Sequence, residues 1–251
     1  MKLALVTGGF RRVGAAIAAR LANDGWTLAL HYRTASEPDA DLALALHANR
    51  TIWHRFGADL ANGDEILNLL PRIHAHFGAY PDLIVNNASM FEWDNIATMA
   101  PQAMAAHHAI NVIAPVLLAT ALATHIGANA RATVVNILDQ RIRQPNGDQL
   151  SYTLSKQGLA AATDTLARSL APKVRVNAVA PGLTLATQDY RPAQLAALAG
   201  EMPLGLLPEP EDIADAVAWL SSARATTGQT IFVDGGANLK SFARDFVFMD
   251  V

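Results

Sequence analysis

The chain opens with Leu3-Ala4-Leu5-Val6-Thr7-Gly8-Gly9-Phe10-Arg11-Arg12-Val13-Gly14, and this stretch decides the fold. An apolar run typical of a buried strand meets a glycine-rich turn, and the Ala-rich stretch 13–23 that follows is typical of a helix. Glycines let the backbone turn sharply and approach a phosphate, and a helix N-terminus supplies free N–H donors and a positive dipole. The stretch therefore predicts a strand, turn and helix that bind the phosphates of a nucleotide.

Outward from this unit, short β-rich runs alternate with longer helical stretches along the chain. The predicted strands are residues 3–6, 27–32, 51–56, 83–85, 132–138, 174–178 and 230–233, and the predicted helices are 13–23, 39–49, 63–76, 101–126, 151–170 and 211–221. Continuously apolar strands separated by helices indicate a parallel sheet covered on both faces. We therefore expect an α/β, doubly wound, Rossmann-type fold with a parallel sheet of about seven strands. No linker or repeat marks a boundary, so we expect a single domain over residues 1–251.

The segment 182–210 is the loosest part of the pattern, with prolines at positions 192, 203, 208 and 210. It follows the C-terminal end of a predicted strand, which is where ligands bind in open α/β sheets. We interpret it as a substrate loop. The alternative is an ordinary surface excursion.

Composition excludes several classes of function. Hydrophobic residues make up 51% of the chain and charged residues 16%, which is enough for a large buried core. A net charge of −3 gives no basic surface for nucleic acid. Cysteine is absent, so disulfides and thiolate metal sites are excluded, and we expect a reducing, cytoplasmic location. The histidines show no metal-ligand spacing, so no metal site is predicted.

Residues 95–130 contain no Asp, Glu, Lys or Arg, and their length alone would allow a membrane span. Asn111, Pro115 and several histidines and threonines interrupt the apolar run, and polar groups are costly in lipid. We therefore expect no membrane span, but a helix over 101–126 that is buried on most sides by the core and by a partner subunit.

The end of the second predicted strand carries a signal for the choice of dinucleotide. NAD enzymes typically place an acid there to accept from the ribose 2′-hydroxyl. The sequence instead reads Leu30-His31-Tyr32-Arg33-Thr34, with Arg11 and Arg12 in the first turn. Guanidinium groups and hydroxyls suit a 2′-phosphate, so the sequence favours NADPH. The alternative is that these arginines are solvated surface residues.

Tyr152 and Lys156 form the strongest catalytic motif. They are four positions apart, so they share one face of the predicted helix 151–170. A fixed cation favours phenolate, and we expect it to bring the phenol pKa from about 10 toward working pH. The pair lies one element past the fifth strand, where the other motifs converge, which favours catalysis over a surface pair.

These motifs resemble the short-chain dehydrogenase/reductase family. Residues 7–14 resemble its TGxxxGxG pattern, with Arg12 where the middle glycine usually stands, and residues 86–89 resemble NNAG, with Ser89 for the glycine. The resemblance implies that Asn111 supports the lysine and a proton-relay water. It also implies a homotetramer in which long helices pack across a two-fold axis. The cofactor-binding residues that it implies are Gly8, Arg12, Val13, Gly14, Tyr32, Arg33, Thr34, Asp59, Leu60, Asn87, Ala88, Ser89, Tyr152, Lys156, Pro181, Gly182 and Thr184.

One position departs from the generic family. The family's catalytic serine lies thirteen residues before the tyrosine, and here that position is Asp139. An acid can donate a proton to an imine nitrogen during hydride transfer. Asp139, Arg12, Ser89 and Phe91 together resemble pteridine reductases and bacterial dihydromonapterin reductases. The alternatives are a structural Asp139 paired with a nearby arginine, and a Phe91 that serves core packing.

The resemblance implies hydride transfer from the nicotinamide to a pterin ring carbon. Tyr152 relays the proton, Lys156 holds the ribose hydroxyls, Asp139 pairs with Tyr152 as acid, and Asn111 positions a water. The substrate-binding residues are Phe91, Asp139 and Tyr152. Two alternatives remain: a ketone reductase, and a catalytically silent nucleotide-binding protein.

Overall fold

The sheet is the centre of the fold in the computed structural model, which describes residues 1–34, 37–186 and 190–249. Its strands are β1 (Leu3–Val6), β2 (Thr27–Tyr32), β3 (Trp53–Gly57), β4 (Leu83–Asn86), β5 (Ala132–Ile137), β6 (Val174–Pro181) and β7 (Thr230–Val233). They form one seven-stranded sheet in the order β3-β2-β1-β4-β5-β6-β7, and every neighbouring pair is parallel. The predicted Rossmann-type fold is confirmed, and the strand order reverses between β1 and β4, where ligands bind in such sheets.

Helices cover both faces of the sheet. They are α1 (Arg12–Asn23), α2 (Ala40–Ala48), α3 (Gly63–Phe77), α4 (Pro101–His108), α5 (Ala114–His125), α6 (Leu150–Leu170), α7 (Pro192–Glu201) and α8 (Pro210–Ser222). Alternate residues of β1 point to opposite faces, so Ala4 and Val6 pack with α1, α2 and α8, while Leu3 and Leu5 pack with α3, α5 and α6. Two apolar cores result, one on each face of the sheet.

The predicted helix 101–126 consists of α4, a π-helical turn over Ala109–Ile113, and α5. By length and composition this run could cross a membrane, with a mean hydropathy of 1.5 over its best window. Leu118, Ala119 and Leu122 are fully buried in the core, but only 39% of that window is buried. The core of one chain therefore buries less than half of the window, and burial of the rest by a partner subunit stays a prediction.

The segment 182–210 contains a helix that the sequence pattern did not predict. α7 begins with Pro192 at its first turn, where proline is favoured because no N–H partner is needed. Leu198 is fully buried with Met202 and Phe246. Residues 187–189 of the expected substrate loop lie outside the described residues.

Candidate active site

A cleft of about 800 Å³ lies at the carboxyl ends of β1, β4, β5 and β6. Of the predicted site residues, it is lined by Gly8, Arg12, Val13, Gly14, Arg33, Thr34, Asp59, Leu60, Asn87, Ala88, Ser89, Phe91, Asp139, Tyr152, Lys156, Pro181, Gly182 and Thr184. A larger cleft of about 1150 Å³ at the opposite edge of the sheet contains none of them. The fold therefore brings nearly every predicted site residue to one place.

The glycine-rich turn is shaped by close backbone contacts. Gly8 has a φ of +62°, and a Cβ on Gly14 would lie 2.1 Å from the Gly8 carbonyl oxygen, so no larger side chain is compatible with this geometry. Asn87 joins the end of β4 to the turn, because its Nδ2 donates to the carbonyls of Thr7 at 2.9 Å and Gly8 at 3.2 Å. The two loops thus form one rigid wall of the cleft.

Arg12 keeps the backbone conformation of the glycine that it replaces. Its φ is +56°, in the left-handed region that costs a non-glycine residue about 1–2 kcal/mol. The side chain is exposed and lines the cleft. The fold tolerates this strain at a ligand-binding edge, which favours a binding role for the guanidinium.

The N-terminus of α1 fits a phosphate group. The residue before the helix, Arg11, makes no side-chain cap to its first turn, and the first turn contains no acid. Its N–H groups therefore remain available at the cleft wall. Arg11, Arg33 and Thr34 line the same end of the cleft, and they add positive charge and a hydroxyl donor.

His31 holds the glycine-rich turn through a hydrogen bond from the backbone of that turn. Gly8 N–H donates to its Nδ1 at 3.2 Å, and its Nε2 lies 3.0 Å from the Ala58 carbonyl oxygen, so the ring is neutral with its proton on Nε2. Burial lowers the pKa of His31, which keeps Nδ1 free to accept. This residue links β1, β2 and the loop after β3.

Tyr32 does not line the cleft, so its predicted cofactor contact is wrong. Its ring stacks on Phe10 with centroids 5.5 Å apart, on the face of the sheet covered by α1 and α2. Successive side chains of a strand point to opposite sides, so Arg33 faces the cleft when Tyr32 faces the core.

Asn111 lies in the π-helical turn and is buried, but its side chain does not reach the cleft. Its Oδ1 accepts from the Met90 N–H at 2.7 Å and the Ser89 hydroxyl at 3.2 Å. Its Nδ2 donates to the Met90 carbonyl at 3.0 Å and to Ser155 Oγ at 2.9 Å. Every donor and acceptor of the amide is used, so the side chain cannot also bind a relay water. It instead fixes the loop after β4 against α6.

Tyr152 and Asp139 form the chemical centre of the cleft. The Tyr152 hydroxyl donates to Asp139 Oδ2 at 3.0 Å. Lys156, one turn further along α6, is buried, and its Nζ lies 5.6 Å from the Tyr152 ring centroid and donates to the Ile137 carbonyl at 2.8 Å. The structure thus places an acid, a phenol and an ammonium together, as the spacing predicts.

The protonation of this group differs from the sequence expectation. Burial, and after it the charge of Asp139, raises the pKa of Tyr152 well above its usual value. Burial lowers the pKa of Lys156 to about 8. The expected lowering of the phenol pKa is not seen, because burial and the Asp139 carboxylate outweigh the Arg141 guanidinium, which lowers it. Tyr152 therefore keeps its proton at neutral pH.

Aromatic rings form the outer wall of the cleft. Phe91 packs edge-on against Tyr152 with centroids 4.8 Å apart, and Trp93 packs edge-on against Phe91 at 5.7 Å. Phe91 remains 44% exposed. So exposed a ring is not part of the buried core, and its free face is open to the cleft.

Several lining residues were missed by the sequence analysis, among them Arg141, Tyr190, Asp245 and Phe246. Arg141 was considered only as a partner of Asp139, and the ion pair of these two residues is present at 3.2 Å. Asp245 and Phe246 lie near the end of the chain, and nothing in their local pattern connects them with the cleft.

A turn that accepts phosphates, and a buried tyrosine and lysine further along the same cleft, are the features of a dinucleotide-dependent oxidoreductase. The chain matches the family described as Enoyl-(Acyl carrier protein) reductase over residues 10–238. It is 30% identical over 254 residues to the 3-oxoacyl-(acyl-carrier-protein) reductase FabG of Staphylococcus epidermidis, and the match covers 94% of this chain and 98% of that protein.

The similar solved structures are also named as reductases or dehydrogenases. The chain is similar to FolM alternative dihydrofolate reductase 1 from Brucella suis in complex with NADP, with a TM-score of 0.86, 33% identity and 98% of each chain covered. It is also similar to a short-chain dehydrogenase/reductase variant of Serratia marcescens, with a TM-score of 0.85, 29% identity, and 94% of this chain and 98% of that chain covered. The chain belongs to the short-chain dehydrogenase/reductase family, and it is an oxidoreductase.

Proposed function

We propose that the chain is an NADPH-dependent reductase of a pterin, with dihydromonapterin, dihydrobiopterin and dihydrofolate as candidate substrates. The observation that carries this proposal is the Asp139 carboxylate, which stands in the position of the family's serine and lies 3.0 Å from the Tyr152 hydroxyl. Reduction of a carbon–nitrogen double bond requires a proton on nitrogen, and an acid paired with a phenol can supply it.

The residues of the cleft fit the cofactor. NADPH supplies a hydride when bound, and the protein orients it. The N-terminus of α1 would hold the pyrophosphate, and Arg12, Arg33 and Thr34 would hold the 2′-phosphate. Lys156 would donate to the ribose hydroxyls. Further cofactor contacts would come from other residues that line the same cleft, namely Asp59, Leu60, Asn87, Ala88, Ser89, Pro181, Gly182 and Thr184.

Proton delivery is performed by Tyr152 and Asp139. Burial raises the pKa of Tyr152, so the phenol carries a proton that it can give to the substrate nitrogen. Asp139 accepts from the same hydroxyl and orients it, and after the transfer a proton from solvent passes by way of the carboxylate to the phenolate, which restores the pair. Asn111 is a positioning residue in this scheme, because it contacts α6 and the loop after β4 but not the cleft.

The substrate ring lies against Phe91. Its exposed ring next to Tyr152 offers an apolar face of the size that a planar bicyclic ring needs. The expected substrate loop, residues 182–210, would cover that ring, since Leu183, Leu185 and Tyr190 already line the cleft.

The solved neighbour that is named as a dihydrofolate reductase and holds NADP supports both parts of the proposal. The name of the curated relative supports a second candidate, reduction of a ketone on an acyl chain. Asp139 favours pterin reduction over ketone reduction. A ketone oxygen is best polarised by a neutral hydroxyl donor, and the carboxylate of Asp139 stands where the family has such a hydroxyl.

One assay separates the two candidates. NADPH oxidation is followed at 340 nm with dihydromonapterin, dihydrobiopterin, dihydrofolate and a panel of ketones, each with NADH as a parallel cofactor. We expect turnover on at least one pterin, with NADPH preferred. Turnover on ketones alone would establish the second candidate, and no turnover on any substrate would establish a silent nucleotide-binding protein.

We further propose a cytoplasmic homotetramer. The run α4–α5 has a partly exposed apolar face, on which Ile113 is 51% exposed, and a second copy packed across a two-fold axis would cover it. Light scattering at micromolar concentration tests the assembly, and a monomer would contradict it.

A further inference from the structure

The C-terminal segment, residues 242–249, packs against the loop that joins β5 to α6. That loop contains Asp139 and leads into α6, which carries Tyr152, so it connects the two groups of the chemical centre. Two ion pairs anchor the segment to the loop although the partners are about a hundred residues apart in sequence. Arg141 Nη2 donates to Asp245 Oδ2 at 2.7 Å, and Arg244 Nε donates to Asp148 Oδ2 at 2.8 Å.

Arg141 contacts every part of the centre. Its Nε donates to Asp139 Oδ1 at 3.2 Å, and its main-chain N–H donates to the same oxygen at 2.9 Å. Its Nη1 donates to Gln149 Oε1 at 2.6 Å, and the guanidinium carbon lies 5.3 Å from the Tyr152 ring centroid. Because Arg141 occupies Oδ1 of Asp139, only Oδ2 is left to accept from the Tyr152 hydroxyl.

Asp245 determines where the guanidinium lies. Arg141 and Asp245 are both buried, at 7% and 5% exposure, and a buried cation requires a close anion. The contact of Arg141 with Asp245 is 2.7 Å, whereas its side-chain contact with Asp139 is 3.2 Å. Burial lowers the pKa of Arg141, but the carboxylates of Asp139 and Asp245 outweigh burial and hold it above its ordinary value. Of the two carboxylates, the charge of Asp139 has the larger effect on the pKa of Arg141, and Asp245 makes the shorter side-chain contact, so both hold the guanidinium.

The segment is also joined to α7. Gln194 Nε2 lies 3.2 Å from each of the carbonyl oxygens of Phe246, Val247 and Met249. Asp245 Oδ1 accepts from the Val247 N–H at 3.1 Å, which fixes the carboxylate within its own turn. The position of Asp245 is thus determined by tertiary contacts and not by a free chain end.

We propose that Arg141 is a positioning residue of the catalytic centre and that Asp245 holds it, so that the C-terminal segment completes the active site of its own chain. The inference rests on the proposed function, in which Asp139 and Tyr152 manage the proton. Asp245 hydrogen-bonds to Arg141 and not to the phenol or Asp139, so its contact with the centre passes through the guanidinium, while its charge also raises the pKa of Tyr152.

Asp245→Asn is the primary test, because it keeps the shape of the side chain and removes its charge. We expect kcat to fall about tenfold, which is less than the roughly 10²–10⁴-fold loss of a general acid because Asp139 and Tyr152 both remain. We expect the Kd of NADPH to stay within about twofold, because Asp245 lies far from the phosphate end of the cleft. Lys240→Gln is the matched control. It removes an exposed ion pair with Glu201 just before the segment, at 2.9 Å, and it should leave kcat unchanged.

A double-mutant cycle separates positioning from simple anchoring of the chain end. In the background of Asp139→Asn, the change Asp245→Asn should cost almost nothing further in kcat, because its target carboxylate is already gone. Tm falls under either role, because Arg141 loses a close anion. An anchoring role predicts the same fractional loss of kcat in both backgrounds, together with weaker NADPH binding, and this result would overturn the proposal. So would an unchanged kcat in Asp245→Asn.

If Asp245→Asn does not fold, Arg141→Lys gives the same test, since it keeps the charge and loses the forked geometry. A loss of kcat at unchanged NADPH affinity supports positioning, and full activity overturns it. The substrate panel on the unmodified protein decides the proposed function separately. If ketones replace pterins there, the cycle is run on the ketone that is turned over.

Discussion

Asp139→Asn is the sharpest test of the chemistry, because it changes the carboxylate by a single atom. The amide still offers an oxygen to the Tyr152 hydroxyl, which donates at 3.0 Å in the structure, but it can neither carry nor return a proton. If Asp139 takes part in proton delivery, kcat for pterin reduction should fall by about 10²-fold, which is the lower end of the range for a lost general acid. The loss of kcat should be at the lower end of that range because Tyr152 itself remains in place.

The effect on stability should be small. Asp139 accepts from the main chain and side chain of Arg141, but Arg141 keeps its shorter ion pair with Asp245 at 2.7 Å. Loss of the hydrogen bonds that Oδ1 accepts from Arg141 costs about 1–3 kcal/mol, which lowers Tm by about 2–12 °C in a chain of this length. A purely structural aspartate would instead lower Tm and all activities together.

The assay compares Asp139→Asn with Asp139→Ser on one pterin and one activated ketone. The serine variant restores the family's hydroxyl, so ketone reduction should survive or rise while pterin reduction falls about 10²-fold. NADPH binding should be unchanged in both variants, since Asp139 faces the substrate end of the cleft. Full pterin activity in the asparagine variant would refute proton delivery by Asp139.

Four further predictions concern residues that line the cleft. Arg33→Asp should weaken NADPH at least about tenfold more than NADH, because a charge-assisted contact becomes a repulsion; equal Kd values for both cofactors in the unmodified protein would contradict this assignment. Arg12→Gly should relieve left-handed strain and raise unfolding stability by about 1 kcal/mol while it weakens NADPH binding, and calorimetry with a cofactor titration measures both. Lys156 has a pKa of about 8 and is charged below that pH, so NADPH affinity should fall as pH rises from 8 to 10 and should be flat in Lys156→Met. His31 has a lowered pKa, so the stability that its neutral ring contributes is complete above about pH 6.5 and is lost as pH falls toward the folded-state pKa; urea unfolding should show a weaker pH dependence in His31→Asn.

The sheet could be predicted from sequence because each strand is a short apolar run between turns or helices. The turn after β1 adds a local constraint that glycine alone satisfies at Gly14, and such a constraint is visible in the sequence itself. The sequence pattern gave a wrong prediction where one residue type is compatible with two kinds of local structure. Pro192 suggested a loop, whereas proline at the first turn of a helix is equally favourable, and α7 was missed for that reason.

The electrostatics of the site could not be predicted in the same way. The spacing of Tyr152 and Lys156 gives their common helix face, but a pKa depends on burial and on every charge nearby. Arg141 and Asp245 contribute to that balance, and 104 residues separate them in sequence. A local pattern contains no information on a contact of this kind. The sequence therefore predicts roles for Asp139, Tyr152 and Lys156, but none for Arg141 in holding them.

The protonation states together favour reduction as the direction of chemistry. A reductase that protonates a ring nitrogen needs a neutral phenol at the start of each cycle, and burial with the Asp139 charge keeps Tyr152 neutral. A dehydrogenase would need the opposite, a phenolate that takes a proton from an alcohol. Arg141 lowers the phenol pKa while Asp139 raises it, so the pair sets how readily the proton leaves without moving the hydroxyl from its position. In the proposed mechanism, Arg141 balances the charge of Asp139, so that a carboxylate can stand where the family has a serine.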